Sequence, residues 1–314
     1  MAQKKLTELL GIQHPIIVAP MFLISNVDMV VAALEGGATA AFPALNYRTD
    51  EELRNAIKSI KQRANGPFGI NLIVNKSNPK LTQQLETVAE LGVAFVITSL
   101  GSPQSVIEKC KPLGIKVFCD VVNVEYAKKV ESLGADAIIA VTNQAGGHCG
   151  PQSPQKLIPE LVAACSIPVI NAGGIATNQH VKESLEMGAA GVSVGTIFLA
   201  SVEANISEEY RKALIDYGAK DIVLTTKMSG SHLTVINTPY VQSIGTKATF
   251  LEKLMRNKWL KKYVKLLIMV KGMKAIENAS KKATYKTVWC AGPAIEYIHS
   301  IRPLKEILSD LTEH

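Results

Sequence analysis

The feature that most constrains the fold of this 314-residue chain is a short junction that recurs along its length. At four places a glycine stands between a helical pattern and an apolar run: Glu35-Gly-Gly-Ala-Thr, Leu91-Gly-Val-Ala, Leu133-Gly-Ala-Asp and Met187-Gly-Ala-Ala. Glycine commonly ends helices because it adopts left-handed backbone angles without a steric penalty. The recurrence therefore indicates one structural unit, a helix followed by a strand, that is used several times.

Eight short apolar runs alternate with helical patterns in this part of the chain, and such runs are typical of parallel strands covered on both faces. The predicted strands begin at Pro15, Thr39, Phe68, Ala94, Ile115, Asp136, Val169 and Gly191. Eight strand–helix units in roughly 200 residues predict an α/β fold of the (β/α)8 TIM barrel type. A doubly wound open sheet is the alternative, although no G-x-G-x-x-G follows the first strand. A clear helix is predicted over 50–63, with Asp50 as its N-cap.

The pattern changes after Phe198. We predict that residues 1–200 form the barrel, closed by C-terminal helices in 290–314, and that 201–289 form a smaller capping or insertion domain with a ninth strand at 221–226. Residues 246–286 contain twelve Lys or Arg and two Glu, a net charge of +10, whereas the whole chain carries +7. The remainder is slightly acidic, which argues against a uniformly basic nucleic-acid binder. The lysine-rich helical pattern around 259–268 favours a helix packed on the barrel over one that contacts a membrane or nucleic acid.

Composition limits the location and the metal chemistry. Hydrophobic residues make up 47% of the chain, yet no apolar run is long enough to span a bilayer and the first residues do not resemble a signal peptide. The five cysteines are odd in number and lack C-x-x-C spacing, which predicts reduced thiols, a cytoplasmic protein, and neither a zinc site nor a disulfide framework. The oligomeric state stays open, a homodimer included.

Two glycine-rich turns stand at the ends of the seventh and eighth predicted strands, Ala172-Gly-Gly-Ile175 and Val194-Gly-Thr196. In TIM barrels the loops after these two strands commonly form a phosphate site, because exposed backbone N–H groups and a helix start attract an anion. A phosphate-bearing ligand is therefore predicted from position. The alternative is that both stretches are ordinary tight turns.

A third glycine-rich loop, Gln144-Ala-Gly-Gly-His-Cys-Gly150, follows the sixth predicted strand. A histidine on such a loop could act as a general base near neutral pH, or the loop could be a turn that happens to hold one of the six histidines. A second histidine, His232, could edge the same pocket. Asp120 is the one carboxylate among the predicted strand ends, where no lysine or H-x-H pair stands. This set of small polar groups suggests that a cofactor carries the chemistry.

The chain resembles the nitronate monooxygenases, which are FMN-dependent (β/α)8 barrels, and the related FMN-dependent enoyl-ACP reductases and NADH:quinone reductases. The resemblance covers most of the chain and is most specific at A-G-G-H-x-G. The matching stretches are His14-Pro-Ile-Ile-Val-Ala-Pro-Met21, Pro67-Phe-Gly-Ile-Asn-Leu72, Ala145-Gly-Gly-His-Cys-Gly150, Pro168-Val-Ile-Asn-Ala-Gly-Gly-Ile175 and Val194-Gly-Thr-Ile-Phe-Leu199.

The resemblance implies a role for each matching position. His148 corresponds to the catalytic base, and no metal is implied. Some relatives carry a lysine where this chain has Asp120, so Asp120 is placed beside the flavin with an open role. The implied FMN-binding residues are Pro20, Met21 and Phe22 with backbone groups along the flavin ring, Asn71 as a hydrogen-bonding partner, Gly146 and Gly147 against the ring, and Ala172, Gly173, Gly174, Gly195 and Thr196 at the phosphate.

The activity implied by the resemblance is the oxidation of small-molecule nitronates or nitroalkanes by oxygen to a carbonyl compound and nitrite. An NAD(P)H-dependent FMN reductase, acting on enoyl-ACP or quinone, shares the same motifs and is the first alternative. A phosphosugar isomerase or synthase barrel without flavin is the second, because it would need the same phosphate loops.

Overall fold

A computed structural model of the chain describes residues 3–75, 78–226, 232–247 and 288–313. Eight parallel strands close into a barrel in the order β1-β2-β3-β4-β5-β6-β8-β9, which confirms the predicted TIM barrel and excludes the open sheet. The barrel strands are β1 (Ile16–Val18), β2 (Thr39–Pro43), β3 (Gly69–Ile73), β4 (Phe95–Ser99), β5 (Lys116–Val121), β6 (Ala137–Val141), β8 (Val169–Ala172) and β9 (Gly191–Val194).

Helix α1 (Leu6–Leu10) covers the N-terminal end of the barrel, and the other helices alternate with these strands on its outside. Those within the barrel repeat are α2 (Val27–Glu35), α3 (Asp50–Arg63), α4 (Leu81–Leu91), α5 (Gln104–Cys110), α6 (Val124–Leu133), α7 (Pro154–Ala164) and α8 (Asn178–Glu186). The glycines of the repeated junction have left-handed backbones, with φ of +77° at Gly37, +64° at Gly92, +98° at Gly134 and +93° at Gly188. These angles explain why the same residue type ends each unit.

The start of α3 corrects one prediction. Asp50 is the first residue inside the helix, and Thr49 is the N-cap: its hydroxyl accepts from the N–H of Glu52, whose carboxylate accepts from the N–H of Thr49. A threonine and a glutamate three residues later form a capping box, which stabilises the first turn. Asp50 instead accepts hydrogen bonds from Arg54 and Thr87, on α3 and α4.

Two apolar layers hold the barrel together. Inside, the rings of Phe95 and Phe118 stack with centroids 4.9 Å apart, and Leu6 of α1 closes the N-terminal end of the same cluster. A Cβ at Gly69 would lie 2.3 Å from the ring of Phe95, so the ring occupies the space that a larger residue would need. A second layer of buried aliphatic residues lies between the strands and the outer helices. The packed interior leaves the C-terminal mouth as the place for a ligand.

The chain after the barrel contributes a small antiparallel sheet, in the order β10-β11-β7. It consists of β7 (Gly147–His148), β10 (Ile222–Thr225) and β11 (Leu233–Ile236). The predicted ninth strand at 221–226 is confirmed as β10, whereas β7 and β11 were not predicted. The loop that carries His148 is therefore a strand of a second sheet and not an isolated turn.

The remaining described elements are α9 (Glu208–Asp216), α10 (Pro239–Ile244), a 3-10 turn at Pro293–Tyr297 and α11 (Leu304–Thr312). The last helix packs against α2 and α8, as a closing helix of the barrel should. The lysine-rich helix predicted around 259–268 lies outside the described residues. Within the described ranges, no helix has the length and apolar character that crossing a membrane requires.

Candidate active site

A cavity of about 1270 Å³ opens at the C-terminal mouth of the barrel. Ligand pockets in proteins commonly enclose about 300–1,000 Å³, so this one can hold a cofactor and a substrate together. The structure brings all thirteen predicted site residues to its wall: Pro20, Met21, Phe22, Asn71, Asp120, Gly146, Gly147, His148, Ala172, Gly173, Gly174, Gly195 and Thr196. They come from six strand ends, so only barrel closure brings them together.

The two predicted phosphate turns are shaped by glycine in different ways. Gly173 and Gly174 have φ of +123° and +82°, a region that other residues rarely adopt. A Cβ at Gly174 would also lie 2.0 Å from the side-chain oxygen of Gln144. Gly195 has a φ of −113°, and a Cβ there would meet Ala19 and the sulfur of Met21 only at ordinary contact distances of 3.7 and 3.8 Å. The protein itself therefore tolerates a methyl group at Gly195, and the space beside it is open to a ligand.

Thr196 lies beneath the third glycine loop. Its hydroxyl oxygen accepts from the backbone N–H of Gly292 at 3.0 Å, and a Cβ at Gly146 would lie 2.8 Å from the same oxygen. The hydroxyl can still donate its own proton. Gly146, Thr196 and Gly292 therefore join the His148 loop, the end of β9 and the C-terminal part of the chain at one point of the cavity wall.

His148 is held on this wall by backbone pairing. It lies in β7 opposite Leu233 of β11, and Gly147 lies opposite Thr234. The His148 side chain is exposed within the open mouth, but the surrounding protein removes enough water to lower the pKa of its imidazole. The neutral imidazole is consequently favoured at neutral pH, as a proton acceptor requires.

Thr234 is a residue that sequence reasoning missed. Its hydroxyl donates to the carbonyl oxygen of Ala145 at 2.5 Å and lies 3.4 Å from that of Gly147. The neighbouring carbonyl of His232 accepts from the N–H of Cys149. His232 lines the cavity, as the sequence allowed. The run Leu233-Thr-Val-Ile236, which contains three β-branched residues and follows Ser-Gly-Ser in the sequence, was a signal for a strand here, although not for its partner.

A hydrogen-bonded chain crosses the ends of three adjacent strands below the mouth. The amide of Asn71 donates to the hydroxyl of Ser99 at 2.7 Å and to the carbonyl of Ile97 at 3.2 Å, and Ser99 donates to the carboxylate of Asp120 at 2.5 Å. Both amide hydrogens of Asn71 are therefore used within the protein, which leaves its carbonyl oxygen for a ligand. Burial raises the pKa of Asp120 to about 6, and the hydrogen bond from Ser99 opposes this rise.

The loop after β1 is also fixed by internal hydrogen bonds. The backbone N–H of Met21 donates to Ser25, and its carbonyl accepts from the amide of Asn46. The sequence resemblance assigned backbone groups of this loop to the flavin ring. In the structure the backbone N–H and carbonyl of Met21 already form hydrogen bonds within the protein. The side chain of Met21 is therefore the part that can contact a ligand in the cavity.

The outer wall comes from the segment beyond the barrel. Tyr210 stacks on Trp289, with centroids 5.3 Å apart, and its hydroxyl donates to the carbonyl of Cys290 at 2.6 Å. Burial raises the pKa of Cys290 to about 12 and also raises that of Cys149, so both cavity thiols are protonated. Across the described residues, no group of three His, Cys, Asp or Glu side chains is arranged to hold a metal ion.

Comparison with known proteins identifies the family. The sequence profile described as nitronate monooxygenase matches residues 3–82 and 77–314 of this chain. The chain belongs to the nitronate monooxygenase family. Membership makes the protein an oxidoreductase and supports a flavin cofactor. It also favours the oxidoreductase predictions over the isomerase or synthase alternative.

Two similar proteins carry different enzyme names. The chain is 31% identical over 239 residues to a (3aS,4S,5R,7aS)-5-hydroxy-7a-methyl-1-oxo-octahydro-1H-indene-4-carboxyl-CoA dehydrogenase of Rhodococcus jostii, which covers 76% of this chain and 67% of that protein. It is 29% identical over 286 residues to a probable nitronate monooxygenase of Staphylococcus aureus, covering 77% and 80% of the two chains.

Solved structures share the fold over nearly the whole chain. FabK from Thermotoga maritima superposes with a TM-score of 0.81 at 27% identity, covering 99% of this chain and 95% of that one. A nitroalkane oxidase from Streptomyces ansochromogenes superposes with a TM-score of 0.78 at 22% identity, covering 98% and 96%. Because the identity is only 22%, the second superposition shows that the fold is shared and nothing more.

Proposed function

We propose that this protein binds FMN in the mouth of its barrel and oxidises nitronates or nitroalkanes with oxygen, giving a carbonyl compound and nitrite. The observation that carries the proposal is the position of His148: its loop and the glycine turns after β8 and β9 line the same cavity. A proton acceptor and an anion cradle on one wall suit an enzyme that takes a proton from a substrate held beside a phosphate-bearing cofactor.

The residues of the cavity fit FMN. Gly173, Gly174, Gly195 and Thr196 would hold its phosphate through backbone N–H groups and one hydroxyl, since the turns carry no side chain that blocks approach. Asn71 would accept a hydrogen bond from the ring through its carbonyl oxygen, and Met21 would contact the ring with its side chain. When bound, FMN supplies the electron-accepting chemistry that no side chain of the protein can provide.

His148 would take the α-proton of a nitroalkane. Its lowered pKa keeps the imidazole neutral at neutral pH, which supports a base over an imidazolium that only binds the nitronate anion. Its ring would move a proton between the substrate carbon and the mouth of the cavity. Backbone donors of the neighbouring loops would steady the nitro oxygens, because both amide hydrogens of Asn71 are already used.

The segment 201–289 is proposed to cap this site as a smaller domain. Tyr210, His232, Leu233 and Val288 all lie in it and line the cavity. The substrate is a small molecule, and we propose oxygen as its co-substrate and the cytoplasm as its location. A homodimer remains a prediction from the sequence.

The second candidate is an NAD(P)H-dependent flavin reductase. Two observations favour it: the relative named as a carboxyl-CoA dehydrogenase is as similar as the probable nitronate monooxygenases, and the superposition with FabK is close.

One experiment separates the candidates. The purified protein is examined by visible spectroscopy, and its released cofactor is identified by chromatography and mass against FMN and FAD standards. The bound flavin is then titrated without oxygen with ethyl nitronate, NADH or NADPH. Bleaching by the nitronate alone supports the proposal, rapid bleaching by NADH or NADPH supports the reductase, and a colourless protein that cannot be loaded with flavin overturns both.

A further inference from the structure

Large apolar side chains line a continuous part of the barrel mouth. The glycine turns and His148 follow β6, β8 and β9, which are neighbours in the barrel. Each of the five consecutive strands β1 to β5 also contributes at least one large apolar side chain to the cavity wall, at its end or within four residues after it. We call these residues the apolar arc: Phe22, Leu45, Ile73, Leu100 and Val122.

Three members of the apolar arc are exposed in the described structure, with 40% of Phe22, 47% of Leu100 and 36% of Val122 accessible to solvent. Single exposed leucines are normal on protein surfaces and need no explanation. Three exposed apolar side chains around one cavity form a surface that an apolar group would cover.

The backbone conformation of Leu100 indicates that the surrounding structure maintains the exposure of its side chain. Leu100 has a left-handed φ of +62°, which is uncommon for a bulky residue. The conformation is fixed from both sides: the carbonyl of Ser99 accepts from the N–H of Val74, and the carbonyl of Gly101 accepts from the hydroxyl of Tyr126. A Cβ at Gly101 would lie 2.5 Å from the carbonyl oxygen of Val74.

A second left-handed leucine stands beside the arc. Leu23 follows Phe22 and has a φ of +63°, and its N–H donates to the side chain of Asn46 at 2.8 Å. Asn46 also donates to the carbonyl of Ser25 at 2.8 Å, which ties the loop after β1 together. The apolar arc thus contains strained backbone after β1 and after β4 that the surrounding hydrogen bonds maintain, a pattern that recurs at ligand sites.

We propose that the apolar arc binds the hydrocarbon chain of the substrate, so that the preferred substrate is a nitronate with an extended alkyl chain and not a nitroalkane of two or three carbons. This inference rests on the proposed function, because it adds the substrate class to the same site. The anionic end faces the glycine turns and His148, and the chain extends across β1 to β5, where Asp120 and Lys129 are the charged side chains among the described residues that line the cavity.

The test uses binding as well as turnover. Straight-chain carboxylates have the same planar anionic end as nitronates and do not react, so their dissociation constants are measured by calorimetry on the flavin-loaded protein from butanoate to decanoate. We expect affinity to rise by about two- to fourfold per methylene, as burial of a CH₂ from water predicts. An affinity that does not change with chain length overturns the inference.

The matched variants are Leu100→Asn and Leu113→Asn. Asparagine tolerates the left-handed backbone of Leu100, so this variant should fold. Leu113 is 54% exposed, lies in the turn before β5 and does not line the cavity. Leu100→Asn should weaken decanoate binding about tenfold or more and leave butanoate within about twofold, whereas Leu113→Asn should change neither. Equal losses in both variants would contradict a specific role for the arc.

Turnover separates this inference from the proposed function. The same variants are assayed with the nitronates of nitroethane and 1-nitrooctane. If no nitronate is oxidised while carboxylate affinity still depends on chain length and on Leu100, the proposed function fails and the apolar site stands. If nitronates are oxidised with kcat/KM values that ignore chain length, the proposed function stands and the apolar site fails.

Discussion

The hydroxyl of Thr234 donates a hydrogen bond to the carbonyl oxygen of Ala145, 89 residues earlier in the chain and three residues before His148. The bond joins β11, outside the barrel, to the loop after β6. Together with the backbone pairing of Leu233 with His148, it fixes the proposed base from the side opposite the barrel. The position of the imidazole therefore depends on a segment that lies outside the (β/α)8 repeat.

The first prediction follows from this bond. Thr234→Val keeps the shape of the side chain and removes the hydroxyl, which leaves the carbonyl of Ala145 without its buried partner. We expect kcat with a neutral nitroalkane to fall about tenfold or more, because a misplaced general base loses much of its effect, and KM to change little. Amide exchange of the peptide 142–150 should accelerate, and Thr234→Ser should restore both.

Thr225→Val is the control for this prediction. Thr225 is as buried as Thr234, lies in β10 of the same small sheet, and donates its hydroxyl to the carbonyl of Thr246 at 2.9 Å, away from His148. Both variants should lose similar stability in denaturant unfolding. Equal losses of kcat would show that Thr234 acts through the stability of the sheet and not through the His148 loop.

The second prediction concerns His148 itself. His148→Asn should reduce turnover of a neutral nitroalkane by about 10²–10⁴-fold, the usual contribution of a general base. Turnover of a preformed nitronate should be retained much better, because its α-proton has already left. Steady-state oxygen consumption with both substrates measures the difference, and equal losses would argue against a proton-accepting role.

The third prediction tests the phosphate cradle without turnover. A methyl group at Gly195 meets no protein atom closer than 3.7 Å, so Gly195→Ala should change the free energy of unfolding of the apoprotein by less than about 1 kcal/mol. If the FMN phosphate occupies this space, the dissociation constant for FMN should rise by at least about tenfold, which corresponds to about 1.4 kcal/mol. Flavin fluorescence quenching measures it, and riboflavin, which lacks the phosphate, should bind both proteins alike.

The fourth prediction concerns stability and pH at Asp120. Its folded pKa of about 6 lies above the ordinary value near 3.8, so the folded protein holds this proton more tightly than the unfolded chain. The stabilisation from the protonated form is complete below the unfolded value and is lost as pH rises through about 6. Asp120→Asn should thus stabilise the protein by up to about 3 kcal/mol at about pH 8 and by less than about 1 kcal/mol at about pH 4.

Chemical unfolding of Asp120→Asn at both pH values checks this prediction. Asparagine can still accept the hydrogen bond of Ser99 through its carbonyl oxygen, so the chain from Asn71 stays intact. Asp216→Asn, at an ion pair with Lys212 on the surface, is the control for the loss of one carboxylate away from the cavity. A gain in stability at low pH instead of high pH would contradict a raised pKa.

The sequence by itself determined the barrel and the outline of its mouth. The glycines of the repeated helix–strand junction, such as Gly92 and Gly134, act within a few residues of their own position, and so do the turns at Gly173 and Gly195. Once the strands are counted, barrel geometry places every strand end at the same face. That is why residues from six strand ends, His148 and Asn71 among them, could be assigned to one cavity.

Only the tertiary structure decided which polar atoms of that cavity already form hydrogen bonds within the protein. Ser99 bridges Asn71 and Asp120 because these residues lie on the two adjacent strands. Thr234 reaches the His148 loop because β11 pairs with β7 across more than eighty residues of sequence. The same holds for Met21, whose backbone N–H donates a hydrogen bond to the hydroxyl of Ser25. Local sequence patterns determine turns and strands through backbone angles and side-chain periodicity. Hydrogen bonds between distant segments depend instead on how the closed barrel packs against its added sheet, and a local sequence pattern does not contain that information.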